Sequence, residues 1–595
     1  MTRPSEIDRR AMQVLTRTET IATAAQDWLA RFETALGAGD RGLLASLFVA
    51  DSYWRDVLAL TWHIGTIAGA GTIIDELTAH AARARPSAFE LAPGRAPPRR
   101  VTRAGTPAIE AIFRFETAEG RGSGVVRLVA ADGAAKAWTL LTALDEIKGH
   151  EERLGRTRPS GETYSRDFRG PNWLDTREAS AAYADRDPVV LVVGAGQAGL
   201  SIAARLGQLQ VDTLIVDRGR RIGDNWRHRY HALVLHNKVH VNHLPYMPFP
   251  PNWPAYIPKD KLAGWFEAYA DSMELNCWTG TEFLGGSYDK TQRRWSVALR
   301  RGDGTTREMH PQHVVMATGA SDIPNRPEIP TLGNFAGTVL HASQYRDGEA
   351  WAGKRAIIVG TGTSGHDIAQ DLHASGAHVT LVQRSSTMVV NVEPSAQLPY
   401  ALYDEGPSLE DCDLLTAATP LPLARQSHVM LTQQAKKLDQ DLLDALARVG
   451  FRLDFGDDGT GWQFKYLTRG GGYYFNVGCS ELIVNGEVGL VQFADIAGFV
   501  AEGARMRDGE TLRADLIVLA TGYKGQEHLV RKLFGDDVAA RVGPIWGFGD
   551  ELELRNMFMR TPQPGLWFIA GSFAQCRIYS KYLALQIKAS ELGLI

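Results

Sequence analysis

Apolar positions in this chain recur first with a helical period, then with a strand period. Between Ala24 and Leu36, Trp28, Phe32 and Leu36 fall every four residues, which stacks them on one helix face. Leu43, Leu44, Leu47 and Phe48 predict a second, short helix. The period then drops to two: Ile109, Ala111, Phe113 and Phe115 alternate with more polar neighbours, and GSGVVRLVAADGAAKAWTLLTAL predicts two strands joined by a turn at Asp132-Gly133. Helices followed by a meander predict a separate α+β unit over residues 1–150. Residues 151–186 are charged and broken by Pro and Gly, the pattern of a linker wrapped over a neighbour. From 187 onward, short wholly apolar runs lead into glycine-rich turns and amphipathic stretches, as in an α/β fold with buried parallel strands.

Two of those turns carry chemistry. The apolar run Val189–Val193 enters Gly194-x-Gly196-x-x-Gly199, with Gln197 and Ala198 opening a helix, and a second strand ends at Asp217-Arg218. In such a unit the first glycine permits a tight turn, the second lets backbone approach a pyrophosphate, and the third lets helix and strand pack closely. The helix N-terminus then faces the phosphates, and Asp217 can accept from both ribose hydroxyls. The pattern repeats after Ala356–Val359 as Gly360-x-Gly362-Thr363-Ser364-Gly365, and its next strand ends in Gln383-Arg384-Ser385. No carboxylate stands at that ribose-reading position. Arg384 offers a donor fork for a 2′-phosphate and Gln383 a donor and acceptor for a bare ribose. Two such loops predict two dinucleotides. Two apolar runs also end in Ala-Thr-Gly, at Thr318-Gly319 and Thr521-Gly522.

Composition narrows the field. The 595 residues predict three or four compact units, and 44% hydrophobic with 22% charged residues is a globular balance. A net charge of −4 and a pI near 6.5 give no footprint for nucleic acid or an anionic membrane. No apolar run approaches the ~20 residues of a membrane span. The polar start MTRPSEIDRR reads as neither signal nor anchor. Cys277, Cys412, Cys479 and Cys576 form no CxxC pair and no metal-ligand spacing, which fits a reducing cytoplasm and argues against a disulfide reductase.

Between the loops stands Phe335-x-Gly337-x-x-x-His341-x-x-x-Tyr345-Arg346. It resembles the fingerprint of the flavin-containing monooxygenases, FxGxxxHxxx(Y/F); typical Baeyer–Villiger enzymes have Trp-Pro where Tyr345-Arg346 stand. Gly223, Asn225 and Trp226 resemble the family's flavin-contacting Gly-Gly-x-Trp region, with Asp224 in place of the second glycine. His236-Asn237-Lys238 matches its Asn-x-x-Lys neighbourhood with a histidine in the Asn place. That histidine and the long N-terminal extension are similar to the type II group. The extension itself resembles NTF2-like or SnoaL-like domains.

The resemblance, which covers about 400 residues from Val189 onward, implies a two-dinucleotide-binding flavoprotein of two Rossmann-like domains. FAD-binding parts fall at 187–330 and 511–595, the second including Gly571, and an NAD(P)H-binding domain falls at 331–510 with a helical insertion over about 394–465. It implies FAD in the first loop and NADPH, with NADH tolerated, in the second. O2 would add at flavin C4a, and the resulting (hydro)peroxide would oxygenate a small organic substrate, either a ketone in Baeyer–Villiger fashion or an N or S atom. His236 and Asn237 are the expected catalytic residues, with Trp226 and Arg227 beside them, and His341 is expected at the interdomain hinge. A homodimer is expected. Two alternatives stand beside this reading: an NAD(P)H oxidase releasing H2O2, and a small-molecule site in the N-terminal unit using Asp56 and His63 as acid and base.

Overall fold

Helix Thr18–Ala38 buries Trp28, Phe32 and their neighbours against the N-terminal sheet, and Arg41–Leu47 follows, capped by the Asp40 carboxylate accepting from Leu43 N at 2.9 Å. This is a computed structural model, and it describes residues 18–159, 168–319 and 323–595. The sheet runs Ile64–Ala68, Phe48–Val57, Ala134–Ile147, Gly120–Ala131, Thr106–Glu116, Ser87–Leu91, with Arg99–Arg103 also on Thr106–Glu116. The expected hairpin turn falls at Asp132-Gly133, both with positive φ (51° and 76°), the geometry that keeps two twisted strands in register.

The stretch read as a linker contains a helix, Trp173–Ala182, tied to the next domain by Trp278 Nε1 donating to Ala181 O (2.7 Å) and Tyr183 OH to Asp212 (2.7 Å). Two parallel five-stranded sheets follow. The first has the order Asn276–Trp278, Thr213–Val216, Val190–Val193, His313–Met316, Leu566–Phe568. The second has the order Thr338–His341, Leu516–Leu519, Arg355–Val359, His378–Gln383, Gly489–Gln492. One expectation is corrected here: Leu516–Leu519, assigned from sequence to the C-terminal part of the first domain beginning at 511, lies inside the second sheet, paired on both sides. The chain crosses between the domains through two short antiparallel strands, Ile323–Pro324 and Tyr523–Lys524.

The insertion is helical, and Leu431, Leu438, Leu442 and Leu446 are shared between two of its helices. The chain breaks between Leu421–Leu438 and Gln440–Arg448 at buried Asp439, whose carboxylate accepts from Asn391 N, Asn391 Nδ2 and Ser395 Oγ at 2.8–3.0 Å. Leu438 is left exposed beside that break. The N-terminal sheet is docked on this insertion by two buried arginines. Arg55 Nη1 donates to Ala417 O (2.6 Å), and Arg127 donates to Ala418 O (2.8 Å) and Leu415 O (3.1 Å). Cations there complement the open carbonyls and negative dipole end of helix Leu409–Ala417.

Candidate nucleotide and substrate sites

The two glycine loops are built alike. Gly194 and Gly360 hold φ of 111° and 120°, and an added Cβ would sit 2.6 and 2.3 Å from the carbonyl oxygens of Ala317 and Ala520. The two Ala-Thr-Gly stretches therefore roof the first glycine of each loop. At Gly199 and Gly365 a Cβ would lie 1.8 and 2.1 Å from Gly194 O and Gly360 O, so only glycine lets helix meet strand there. Gly196 and Gly362 differ. Around Gly196 only the Asn225 side chain comes near, its amide nitrogen at 3.1 Å, and around Gly362 only Tyr473 O at 3.8 Å, so neither glycine is roofed by backbone as the other two are. Each is the N-cap of a twelve-residue helix, Gln197–Gln208 and Thr363–Ala374, that no side chain caps. Unfilled N–H groups aimed into a cradle suit a pyrophosphate.

At the first loop, Ala198 is buried and Gln197 Nε2 donates to Gly571 O (3.2 Å), joining the loop to the C-terminal helix Phe573–Glu591. Gly571 has φ 119°. The Asp217 carboxylate accepts from Ala195 N (2.7 Å) and Gly219 N (2.6 Å), which leaves lone pairs for a ribose, with exposed Arg218 next to it. Gly223 (φ 88°) packs its α-carbon against Ala263, and Asp224, at the second-glycine position, closes the turn on Arg221 N and Arg227. Trp226 Nε1 and Thr318 Oγ1 are buried without a protein partner. A buried donor is costly to leave unmet, so these two orphans beside the loop fit a bound group that brings acceptors, as FAD does. Gly319 O accepts from Gln526 Nε2 at 2.8 Å.

At the second loop, Thr363 Oγ1 donates to Tyr473 O (3.1 Å) and Ser364 is half-buried. Arg384 and Ser385 are exposed at the end of their strand, with Arg384 Nε 3.4 Å from Ser385 Oγ. Gln383 departs from expectation. Its side chain is wholly buried, donating to Arg452 O (3.0 Å) and accepting from Arg452 N (2.8 Å) and Gln492 Nε2 (3.1 Å), so nothing remains for a ribose. Arg452 Nη2 in turn donates to Arg384 O (2.5 Å), placing a second cation at the ribose-reading end that no motif signals.

The fingerprint residues fasten the edge of the second sheet to the crossing segment and to the second loop's helix. His341 is buried, with Nδ1 accepting from Ser343 N (3.2 Å) and Nε2 3.1 Å from Gly522 O on the crossing segment. Thr521 Oγ1 donates to Asn325 O (2.5 Å) on the other crossing strand, and Tyr345 OH to Asp371 (2.5 Å) on the second loop's helix.

His236 and Asn237 face different compartments. His236 lines a cavity of about 380 Å³ with Tyr230, Tyr256 and Asp367, its ring edge-on to Phe475 at 5.6 Å. Burial holds its pKa below the usual histidine value, partly opposed by Asp367. Tyr230 donates to Asp367, whose own pKa burial raises and whose Oδ1 has no partner. Asn237 Nδ2 instead donates to Tyr400 OH (3.0 Å), and Tyr400 lines a larger cavity. Arg227, expected beside His236, is held by Asp224 (2.5 Å) and Glu267 (3.3 Å).

That larger cavity holds about 510 Å³ and draws on three distant parts of the chain. Ile64 and Gly105 come from the N-terminal unit, Leu431 and Phe464 from the insertion, and Phe548 and Ile578 from the C-terminal segment. It reaches Ser572 and Gln575, next to the Gly571 carbonyl that holds Gln197 of the first loop. Asp56 and His63 are absent from its lining. Asp56 accepts from Thr142, Thr61 and Leu60, with burial raising its pKa, and His63 Nε2 lies 2.6 Å from Glu551. Both are spent on structure, which corrects their reading as an acid–base pair.

A family model described as pyridine nucleotide-disulphide oxidoreductase matches residues 191–402. Its disulphide has no counterpart, since all four cysteines are free. Indole-3-pyruvate monooxygenase YUCCA1 of Oryza sativa subsp. japonica is 30% identical over 356 residues, 59% of this chain and 80% of the relative. Probable indole-3-pyruvate monooxygenase YUCCA9 of Arabidopsis thaliana is 29% identical over 380 residues, 63% of this chain and 81% of the relative. Among solved structures, ε-caprolactone-bound cyclohexanone monooxygenase aligns with a TM-score of 0.50 at 17% identity, covering 68% of this chain and 88% of that one, a likeness of fold. Among the described residues no helix is long and apolar enough to cross a membrane.

Proposed function

The chain belongs to the flavin monooxygenases, which use FAD, NADPH and O2 to oxygenate small molecules, and from that premise we propose that this member oxygenates a carbonyl compound held in the larger cavity. Bound FAD supplies oxygen activation, with electrons from NADPH. The protein's task is to bind, orient and shield. In this reading Gly194, Gly196 and Gly199, with the N-terminus of Gln197–Gln208, hold the FAD pyrophosphate, Asp217 its ribose, and Trp226 and Thr318 donate their unfilled hydrogen bonds. Gly360, Gly362 and Gly365 do the same for NADPH, with Arg384 on the 2′-phosphate. His236, kept neutral by burial, can give or take a hydrogen bond from its ring nitrogens in the cavity it shares with Asp367. Asn237 fixes the Tyr400 hydroxyl on the wall of the substrate cavity.

The observation that carries this reading is the 510 Å³ cavity with mostly apolar walls, which ends beside the first loop. Its size is ordinary for a small-molecule site of roughly 300–1,000 Å³. A built substrate chamber is what an NAD(P)H oxidase does not need, and its apolar walls keep water from the oxygen chemistry. The two relatives are named for indole-3-pyruvate, a 2-oxo acid, which favours a carbonyl over an amine or sulfide as the oxidised group. We also assign the N-terminal unit an NTF2-like fold, supported by its three helices, Thr18–Ala38, Arg41–Leu47 and Ala70–Ala84, set with a single mixed sheet, and give it the role of a cavity wall rather than an independent enzyme.

The test is an oxygen and product balance against ketones, sulfides and amines. Oxygenated ketone approaching one equivalent per NADPH is expected; H2O2 equal to NADPH consumed with every compound would refute the reading.

A further inference from the structure

From His236 to His243 the chain forms no helix or strand beyond the single turn Val239–Val241, so its shape is set by what fastens it. Two side chains hold its first carbonyls. Gln397 Nε2 donates to His236 O (2.9 Å), and the buried Asn242 Nδ2 folds back on Asn237 O (3.0 Å). The far end of the turn is held by one residue of the C-terminal helix Phe573–Glu591. Arg577 Nη1 donates to Val241 O (2.8 Å) and His243 O (2.9 Å), the carbonyls on either side of Asn242.

Arg577 is buried, and its other edge is spent on Asp413: Nε and Nη2 meet the two carboxylate oxygens at 2.7 Å each. Burial opposes the charge, but Asp413 and Tyr403 outweigh it and keep the pKa above the ordinary arginine value. A planar guanidinium can grip a carboxylate along one edge and two carbonyls along the other, which an ammonium cannot. Asp413 also accepts from Tyr403 OH (2.8 Å), and it sits on helix Leu409–Ala417. The N-terminal unit grips that helix at both ends, with Arg95 and Ala96 N on Asp411, and Arg127 and Arg55 on Leu415 O and Ala417 O. One guanidinium therefore joins the His236–Asn237 segment to the helix on which the N-terminal unit is docked.

We propose that Arg577 is a positioning residue for this segment: through Asn242 it sets the place of Asn237, whose amide holds the Tyr400 hydroxyl, and it carries to that place the docking of the N-terminal unit on helix Leu409–Ala417. This rests on the proposed function only in taking the His236–Asn237 segment as part of the site where the cofactors react. It gives the N-terminal unit a part in that reaction besides walling the cavity.

The measurement is anaerobic stopped-flow reduction of the FAD holoenzyme by NADPH, which gives the NADPH dissociation constant and the limiting rate separately and needs no organic substrate. Arg577→Lys keeps a charge opposite Asp413 but loses the second edge. Asn242→Ala cuts the link one step nearer Asn237 with Arg577 intact, and it decides the matter if the lysine variant loses FAD. Each should leave FAD content and NADPH affinity unchanged and slow the limiting rate about three- to tenfold, the worth of one neutral hydrogen bond. Asn237→Ala should slow it by a similar factor, and adding Arg577→Lys to Asn237→Ala should slow it no further, because the arginine acts through that residue. Lys581→Met, one turn along the same helix, removes a pair with Asp145 of the N-terminal sheet without touching the segment and should reduce at the wild-type rate. Arg577→Lys and Asn242→Ala both reducing at the wild-type rate, or the two factors multiplying in the double variant, would overturn the proposal. A wild-type rate in Asn237→Ala would sink the reading of the segment itself, and the proposal with it, so the two failures appear in different variants.

Discussion

Replacing Arg55 by Met should release the N-terminal unit from the rest of the molecule without unfolding either. The Arg55 and Glu553 side chains are 6% and 11% exposed. Nε and Nη2 of Arg55 meet the two carboxylate oxygens at 2.7 and 2.6 Å, a bidentate pair, while Nη1 meets Ala417 O at 2.6 Å. Burial opposes the charge on Arg55, but Glu553 and Tyr579 outweigh it and leave the pKa above the ordinary arginine value. Removing the cation strands a buried carboxylate whose remaining partner is Thr66 Oγ1 at 3.0 Å, and it opens the carbonyl end of helix Leu409–Ala417. Breaking a buried pair from one side costs about 3–5 kcal/mol, most of it the unpaired charge. At about 1.4 kcal/mol per decade, the undocked population rises by roughly two to three and a half orders of magnitude. Hydrogen exchange should then accelerate in Phe48–Val57 and Leu409–Ala417 while the two nucleotide sheets stay protected. With the cavity wall loosened, the H2O2 fraction should rise at unchanged FAD content. Arg55→Met with Glu553→Met removes both charges, and most of the protection should return. If the double variant exchanges as fast as the single one, the cost does not come from an uncompensated charge and the argument fails.

Three further outcomes follow from the geometry. Gly196→Val should abolish the flavin spectrum yet leave the first domain folded, because the added side chain meets only the Asn225 amide and the open cradle; normal FAD content would show that the loop does not hold the pyrophosphate. Arg384→Ala should raise KM for NADPH about ten- to a hundredfold with kcat little changed, the worth of a charge-assisted bond. With Gln383 locked on Arg452 and Gln492, NADH should be a poor donor in wild type, and equal losses for both cofactors would place selectivity elsewhere. His366 is fully buried on Tyr474 (ring centroids 3.9 Å apart), and burial holds its pKa at about 4 against 6.5 unfolded. The unfolded chain therefore takes up the proton first. Stability should fall as pH drops from 6.5 towards 4, by about 3 kcal/mol from this group. His366→Phe should flatten the urea midpoint against pH in that window, and parallel curves would refute the assignment.

Both nucleotide loops were legible because their determinants are local. A positive φ at Gly194 and Gly360, and a helix that touches its own strand at Gly199 and Gly365, are settled within a few residues, so residue type and spacing suffice. The fingerprint at Phe335–Arg346 was legible as a pattern, but its physical role was not. His341 and Tyr345 act through Gly522 and Asp371, and no spacing rule connects those positions.

What the sequence determined by itself was therefore the pair of strand–loop–helix units, the helices and hairpin of the N-terminal unit, and the chemistry that two dinucleotide loops imply. Tertiary structure decided the rest. Leu516–Leu519 reads as an apolar strand wherever it pairs, and only the partners on either side place it in the second sheet. Gln383 could have faced a ribose until Arg452 and Gln492 claimed its amide. The larger cavity is assembled from residues between Arg55 and Tyr579, and its buried arginines are held by a carboxylate or helix end far away in the chain. Local backbone geometry is written in short stretches, whereas burial, charge pairing and cavity shape depend on which distant surfaces meet.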